Sequence, residues 1–159
     1  MFETEIYLEI HGNLPEELSE ERLAKAIRYC VTAAQRWSTP PAPWQEVTVH
    51  LVHDDVSEEV NNAILGHEGP TDVITQRYEP LPGEPDGLVG ELFVNVDESK
   101  RMSEKLGRTT HEEETVLYIA HGCDHLTDAD DATPPERMAM RRRDLRWMHA
   151  ALRRCNSEN

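Results

Sequence analysis

Hydrophobic and polar positions change their period several times along the chain, and each change marks an element. Phe2, Thr4, Ile6, Leu8 and Ile10 alternate with polar residues, which predicts a half-buried strand over residues 2–10. From about Pro15 to Trp37 the period becomes helical, with Leu18, Ala26, Ile27, Cys30, Val31, Ala34 and Trp37 on one face. The run Thr39-Pro40-Pro41-Ala42-Pro43 stops that helix, because proline offers no backbone N–H. Val47, Val49 and Leu51 alternate again and predict a second strand. A short helix over about 56–65, a turn at Gly69-Pro70, and strands over 71–75 and 90–96 follow, with a Pro/Gly-rich loop at 80–87.

Helices are predicted over about 98–106 and 110–126, the second opened by Thr110 with Glu113 three residues on. The last helix, about 134–154, has Thr133 as N-cap, Pro134 in its first position and Glu136 completing the box. A short tail, 155–159, remains. This order predicts an α/β (α+β) fold, with one four-stranded sheet and about five helices packed on it, in a single domain spanning 1–159.

Composition narrows the setting. A chain of 159 residues can bury one respectable core. No apolar run approaches the ~20 residues of a membrane span. The opening MFETEIYLEI lacks the charge pattern of a secretory signal, so the expected compartment is the cytoplasm. Cys30, Cys123 and Cys155 are odd in number and form no CxxC pair, which predicts free, buried thiols. The net charge of −15 opposes the approach of a polyanion. It is unevenly spread. Residues 133–159 carry seven arginines against three acidic residues, a balance of +4, leaving −19 on the first 132. Any contact with a polyanion is therefore expected on the C-terminal segment or on a metal.

Candidate chemistry concentrates in His121-Gly122-Cys123-Asp124-His125-Leu126-Thr127-Asp128-Ala129-Asp130-Asp131. Histidines four apart on a helix lie about 40° apart in azimuth and roughly 6 Å apart along the axis, so both imidazoles can reach one ion. A third ligand needs the chain to turn back after Leu126, and Asp128-Ala129-Asp130 suits such a turn. Two histidines and a carboxylate with an open fourth position form an accepted catalytic zinc arrangement. The same acidic residues would also suit a solvated turn without any ion. Cys123 faces away from the pair and is expected in the core.

At this point the chain resembles the YbeY family of metal-dependent endoribonucleases, associated with ribosomal RNA maturation and ribosome quality control. That family carries His-Gly-x-Leu-His-Leu-x-Gly-Tyr-Asp-His, and His121, Gly122, His125, Leu126 and Asp130 match it in place. Pro70-Thr71-Asp72-Val73-Ile74 resembles the family's P-T-D-V-L strand, and Gly90-Glu91-Leu92-Phe93-Val94 its following strand. Val52-His53-Asp54-Asp55 and Asn61 fit the segment before them. The resemblance implies a small mixed sheet flanked by helices. It also implies one zinc ion per chain held by His121, His125 and Asp131, with single-stranded or ribosomal RNA as substrate. The ribosome, including a ribosomal protein, is the implied partner.

The departures bear on activity. Asp131 stands where the family has its third zinc-binding histidine, which lowers the formal charge of the site from +2 to +1. Asp128 replaces a helix-stop glycine, and Thr75-Gln76 replaces Ser-Phe. Leu65 aligns with the family arginine of a Y-R-G segment, removing a planar phosphate donor. Beyond a metal-bound water, no general base is identified. Gly122 sits where an HExxH protease has its glutamate, which disfavours a protease. Asp124 reads as a surface or supporting polar group. On the last helix Arg142, Arg143, Arg146, Arg153 and Arg154 are expected on a solvated face, opposite Met138, Leu145, Met148 and Leu152. Arg141 falls within the apolar face and is a candidate to replace the missing arginine. The alternative function is a non-catalytic, zinc-stabilised member of the same fold that binds the ribosome or a protein.

Overall fold

Along the strands the odd and even positions part company, and their register decides which face is buried. The structure, a computed structural model, describes residues 3–38, 44–84, 86–129 and 131–157. β1 (Glu5–Ile10) leads to α1 (Glu20–Trp37), β2 (Trp44–Val52) and α2 (Asp54–Val60), whose end widens into a π-turn (Asn61–Leu65). Then come β3 (Val73–Tyr78), β4 (Leu88–Asn95), α3 (Val96–Leu106), α4 (His111–His125) and α5 (Pro134–Ser157). The sheet order is β1-β2-β4-β3, with β1, β2 and β4 parallel and β3 antiparallel on the edge. This is the expected class, a four-stranded mixed sheet with helices packed on it. Phe2, the Thr39–Pro43 stop and Asp130 lie outside the described residues.

Val47, Val49 and Leu51 of β2, and Leu88, Leu92 and Val94 of β4, point into the core that α1 and α4 cover. Glu46, Thr48 and His50 on β2, and Glu5, Tyr7 and Glu9 on β1, stand on the opposite face and are exposed or half-buried. α1 contributes Leu23, Ala26, Ile27, Cys30, Val31 and Ala34, an i, i+3, i+4, i+7 stripe capped by Ser19. α5 lies across α1 and α4. All three cysteines are free and buried.

Several boundaries differ from the sequence reading: α1 begins at Glu20 after its Ser19 cap, not near Pro15, and β4 spans Leu88–Asn95, not 90–96. β3 starts at Val73 because Thr71 is engaged with Ser57, N–H to Oγ at 3.0 Å, and it runs on to Tyr78 by pairing with Val89. α5 continues past 154 to Ser157, its last turn held where Cys155 Sγ donates to the Arg22 carbonyl at 3.3 Å. Beside the start of β3, Asn95 is fully buried and its Nδ2 donates to Asp54 Oδ1 at 2.9 Å and to the Thr71 carbonyl at 3.1 Å. This polar knot ties the ends of β2 and β4 to the segment that enters β3.

α4 meets the sheet through glycine. A Cβ on Gly122 would stand 2.6 Å from Leu92 Cδ2 and 3.2 Å from Val73 Cγ2, and one on Gly90 would stand 2.8 Å from Leu126 Cδ1. Only hydrogen fits at either point. Gly122→Ala is therefore expected to destabilise the fold by about 1–3 kcal/mol through overpacking. Urea unfolding checks this, and an unchanged midpoint would mean that the helix can lift off the sheet without penalty.

Candidate metal centre

The helix that carries the two histidines is fixed at both ends. Thr110 Oγ1 accepts from Glu113 N at 3.0 Å, while Glu113 Oε1 accepts from Thr110 N at 2.8 Å, closing the predicted capping box. Val116, Leu117, Ile119, Ala120 and Cys123 bury its apolar side. At the far end Thr127 Oγ1 donates to the Asp124 carbonyl at 2.6 Å, and Asp128 takes a left-handed φ of 68°. A residue with a short polar side chain tolerates that conformation, so the chain turns back here without glycine. The Asp128 carboxylate is held by Arg77 of β3.

The turn brings three side chains together. His121 Nε2 and His125 Nε2 are 3.1 Å apart, with the rings edge to face at 87°. Asp131 Oδ2 lies 3.7 Å from His125 Nε2, and one ligand atom from each of the three fits within a 4.8 Å span. Arg137 Nη1 donates to the backbone carbonyls of Asp131 and Ala132 at 3.3 and 3.2 Å, anchoring the returning strand of chain. Each side chain keeps between 32% and 44% of its surface open to solvent, so the site has a mouth. Two imidazole nitrogens and one carboxylate oxygen, with room for a further ligand, suit zinc or a similar borderline divalent ion. At metal–ligand distances of about 2.0–2.1 Å the two nitrogens would sit about 3.3 Å apart, so the pair needs to open only slightly.

Sequence reasoning missed the group that orients the pair. Asp144 of α5 is almost fully buried, and its Oδ2 lies 2.7 Å from His121 Nδ1. A hydrogen bond at Nδ1 fixes the tautomer and aims the Nε2 lone pair toward His125 and Asp131. Asp144 Oδ1 is buried with no hydrogen-bond partner. Burial pulls the His121 imidazole down, but the Asp144 hydrogen bond and charge outweigh it and the net shift is upward. Burial, then the His121 charge, hold His125 below its ordinary value.

α5 corrects the helical-wheel reading. Its buried seam is Met140, Arg143, Asp144, Trp147, Met148, Ala151 and Cys155. Arg143, expected in solvent, is buried and donates from Nε and Nη2 to the two Asp124 oxygens, both at 2.9 Å. Its guanidinium also stacks 4.5 Å from the Trp37 ring centre. Asp124 accordingly is no surface residue but lies fully buried. Burial, reinforced by the Asp144 carboxyl, pushes Asp124 upward against the pull of Arg143. Met138, expected inward, is 56% exposed. Arg142, Arg146, Arg153 and Arg154 are exposed as expected, and Arg143 alone of that group is drawn inward, by the Asp124 carboxylate.

Two openings flank His121. One, of ≈ 200 Å³, is bounded by Asp72, Tyr118, His121, Asp131, Arg137 and Arg141. The other, of ≈ 330 Å³, is bounded by Leu65, Val73, Thr75, Arg77, His121 and His125. Arg141 is exposed at the first opening, not part of the apolar seam. Leu65, at the end of the π-turn, reaches the second opening.

The family model described as Endoribonuclease YbeY matches residues 9–151. A protein named Endoribonuclease YbeY from Rhodopirellula baltica is 35% identical over 103 residues, covering 64% of this chain and 52% of that protein. The chain thus spans about half the length of that relative. One of the same name from Salinibacter ruber is 27% identical over 147 residues, covering 89% of each chain. The solution structure of TM1509 from Thermotoga maritima aligns with a TM-score of 0.57 at 21% identity, over 96% of this chain and 95% of that one. That likeness speaks for the fold, and together with the family match over residues 9–151 it leads to one conclusion: the chain belongs to the endoribonuclease YbeY family.

Proposed function

We propose that this protein is a metal-dependent endoribonuclease that cleaves single-stranded RNA in ribosomal RNA maturation and ribosome quality control. The convergence of His121, His125 and Asp131 at the mouth of a cleft, in a chain of this family, carries the reading. A zinc ion held there would supply Lewis acidity toward a phosphodiester. The remaining work belongs to the chain. Asp144 holds His121 in the ligating tautomer, and Asp131 offers an anionic oxygen that partly offsets the charge of an ion. Arg137 and Arg141 face one opening and Arg77 the other, so phosphates entering from either side meet a guanidinium despite the net charge of −15. The ribosome is the proposed partner, with the arginines of α5 as its contact.

Leu65 supports the second reading, a non-catalytic zinc-stabilised member that binds the ribosome or a protein. It borders the opening beside His121 and His125, where it can neither donate to a phosphate nor stabilise charge developing on one. If the cleft is otherwise competent, Leu65→Arg restores a charged hydrogen bond and should raise cleavage about tenfold or more. A single-stranded RNA assay decides between the two. No gain from a folded, metal-loaded variant would favour the binding role, and so would equal activity in the native protein and His121→Ala.

Metal content is expected to follow the geometry. Asp131→His should keep the ion at this site, while Asp131→Ala should weaken binding far more than Asp128→Ala, because Asp128 is engaged with Arg77. Asp144→Asn should cost about 10- to 100-fold in metal affinity or cleavage, the usual scale for a group that orients a ligand. Equilibrium dialysis of each folded variant measures both. Full affinity in Asp131→Ala would remove that residue from the ligand set and leave the histidine pair.

A further inference from the structure

A second group of metal-type donors lies on the opposite face of the sheet from α4. We propose that Glu9, His11 and His50 form a further site for a borderline divalent transition-metal ion such as Zn²⁺. This goes beyond the nuclease reading and does not depend on it.

The strands build the site. Glu9 and His11 are two apart and so project from the same face, and Glu9 pairs directly with His50 on the parallel neighbour β2. His11 follows β1 but stays in register, its N–H donating to the Leu51 carbonyl at 3.0 Å. His11 Nε2 and His50 Nδ1 lie 2.9 Å apart, and with a Glu9 carboxylate oxygen they fit within 4.8 Å of one another. These are the donor types and the spacing of the His121 site, made from strands instead of a helix.

His50 is held as a ligand would be. Its Nε2 donates to Glu91 Oε2 at 2.8 Å, and the other Glu91 oxygen accepts from Tyr78 Oη at 3.2 Å. Its ring stacks on Phe93, with centroids 4.5 Å apart and planes 6° from parallel. With Nε2 donating, Nδ1 carries the free lone pair and points at His11. A carboxylate on the far nitrogen is the arrangement that orients a metal-binding imidazole, as Asp144 does for His121. Without an ion, His11 Nε2–H donates to His50 Nδ1 and a closed chain His11–His50–Glu91 results. Binding needs only the other His11 tautomer and an opening of the nitrogens to about 3.3 Å. Because β1 is an edge strand joined to the sheet through β2 alone, an ion here would clamp it in place.

The test uses the full chain with His121→Ala and His125→Ala, which removes both imidazole donors of the other site, titrated with Zn²⁺ by calorimetry. One equivalent should remain, and the thermal midpoint should rise with added Zn²⁺. His11→Gln or His50→Gln added to that background should abolish it, with folding checked by circular dichroism. Glu91→Gln should weaken it about 10- to 100-fold. A parallel titration of the otherwise native chain should give two equivalents, falling to one in His11→Gln. Zero equivalents in the double variant, with one in the native chain, would overturn the proposal and leave the hydrogen-bonded chain as the explanation. A retained equivalent that survives both His11→Gln and His50→Gln would overturn it equally.

Discussion

The close seating of α4 on β4 is the constraint from which the rest of the site follows. Leu92 reaches the helix backbone at Gly122, and Leu126 reaches the sheet at Gly90. A Cβ at either glycine would have to push the facing leucine away by about 1 Å to reach ordinary contact. At that depth His121 and His125 emerge beside β3, level with Val73 and Thr75, and share an opening with them. Gly122 thus does more than separate two histidines in a motif. It sets the height of both imidazoles above the sheet.

A helix pressed so closely onto a sheet has its other flank covered by α5, and there polar groups are buried in numbers. Asp124 and Asp144 lie side by side, one facing the Arg143 guanidinium and the other the His121 ring. Taking such charges from water costs several kcal/mol per ion, so the arrangement is weak evidence for stability. Its value is orientation. Truncating either partner would leave an uncompensated charge in the core, which restricts α4 and α5 to one relative register. That register delivers Asp144 to His121.

For the proposed RNA substrate, a polyanion, the placement of the guanidinium groups matters in a chain with a net charge of −15. Arg77, Arg137 and Arg141 reach the two openings from β3 and from the first turns of α5, where Asp72, Asp131 and Asp144 border the first opening and Asp72 the second. Fields of surface charges are screened beyond about 8–10 Å, so at physiological salt the groups that line the cleft count for more than the net charge of the whole chain. Arg77 and Arg137 are also engaged with Glu79, Asp128 and the 131–132 backbone. Arg141, at the first opening, is the residue the sequence singled out as a replacement for the arginine absent at Leu65.

Periodicity alone determined the order and kind of the elements, because the strand and helix repeats of two and 3.6 are written in single residues. Capping at Thr110 and Thr133 was legible for the same reason, since each box closes within four residues. The helical spacing of His121 and His125 was equally local. What the sequence could not hold was anything that depends on which helix lies against which. Arg143 reads as a solvated arginine until α4 presents Asp124 to it, and Asp144 is one acid among many until it meets His121. Glu9, His11 and His50 are scattered along forty residues, and only the parallel register of β1 and β2 makes them neighbours. Local interactions choose secondary structure, but buried charge and metal-type geometry arise where distant segments exclude water together, and tertiary structure alone decides that.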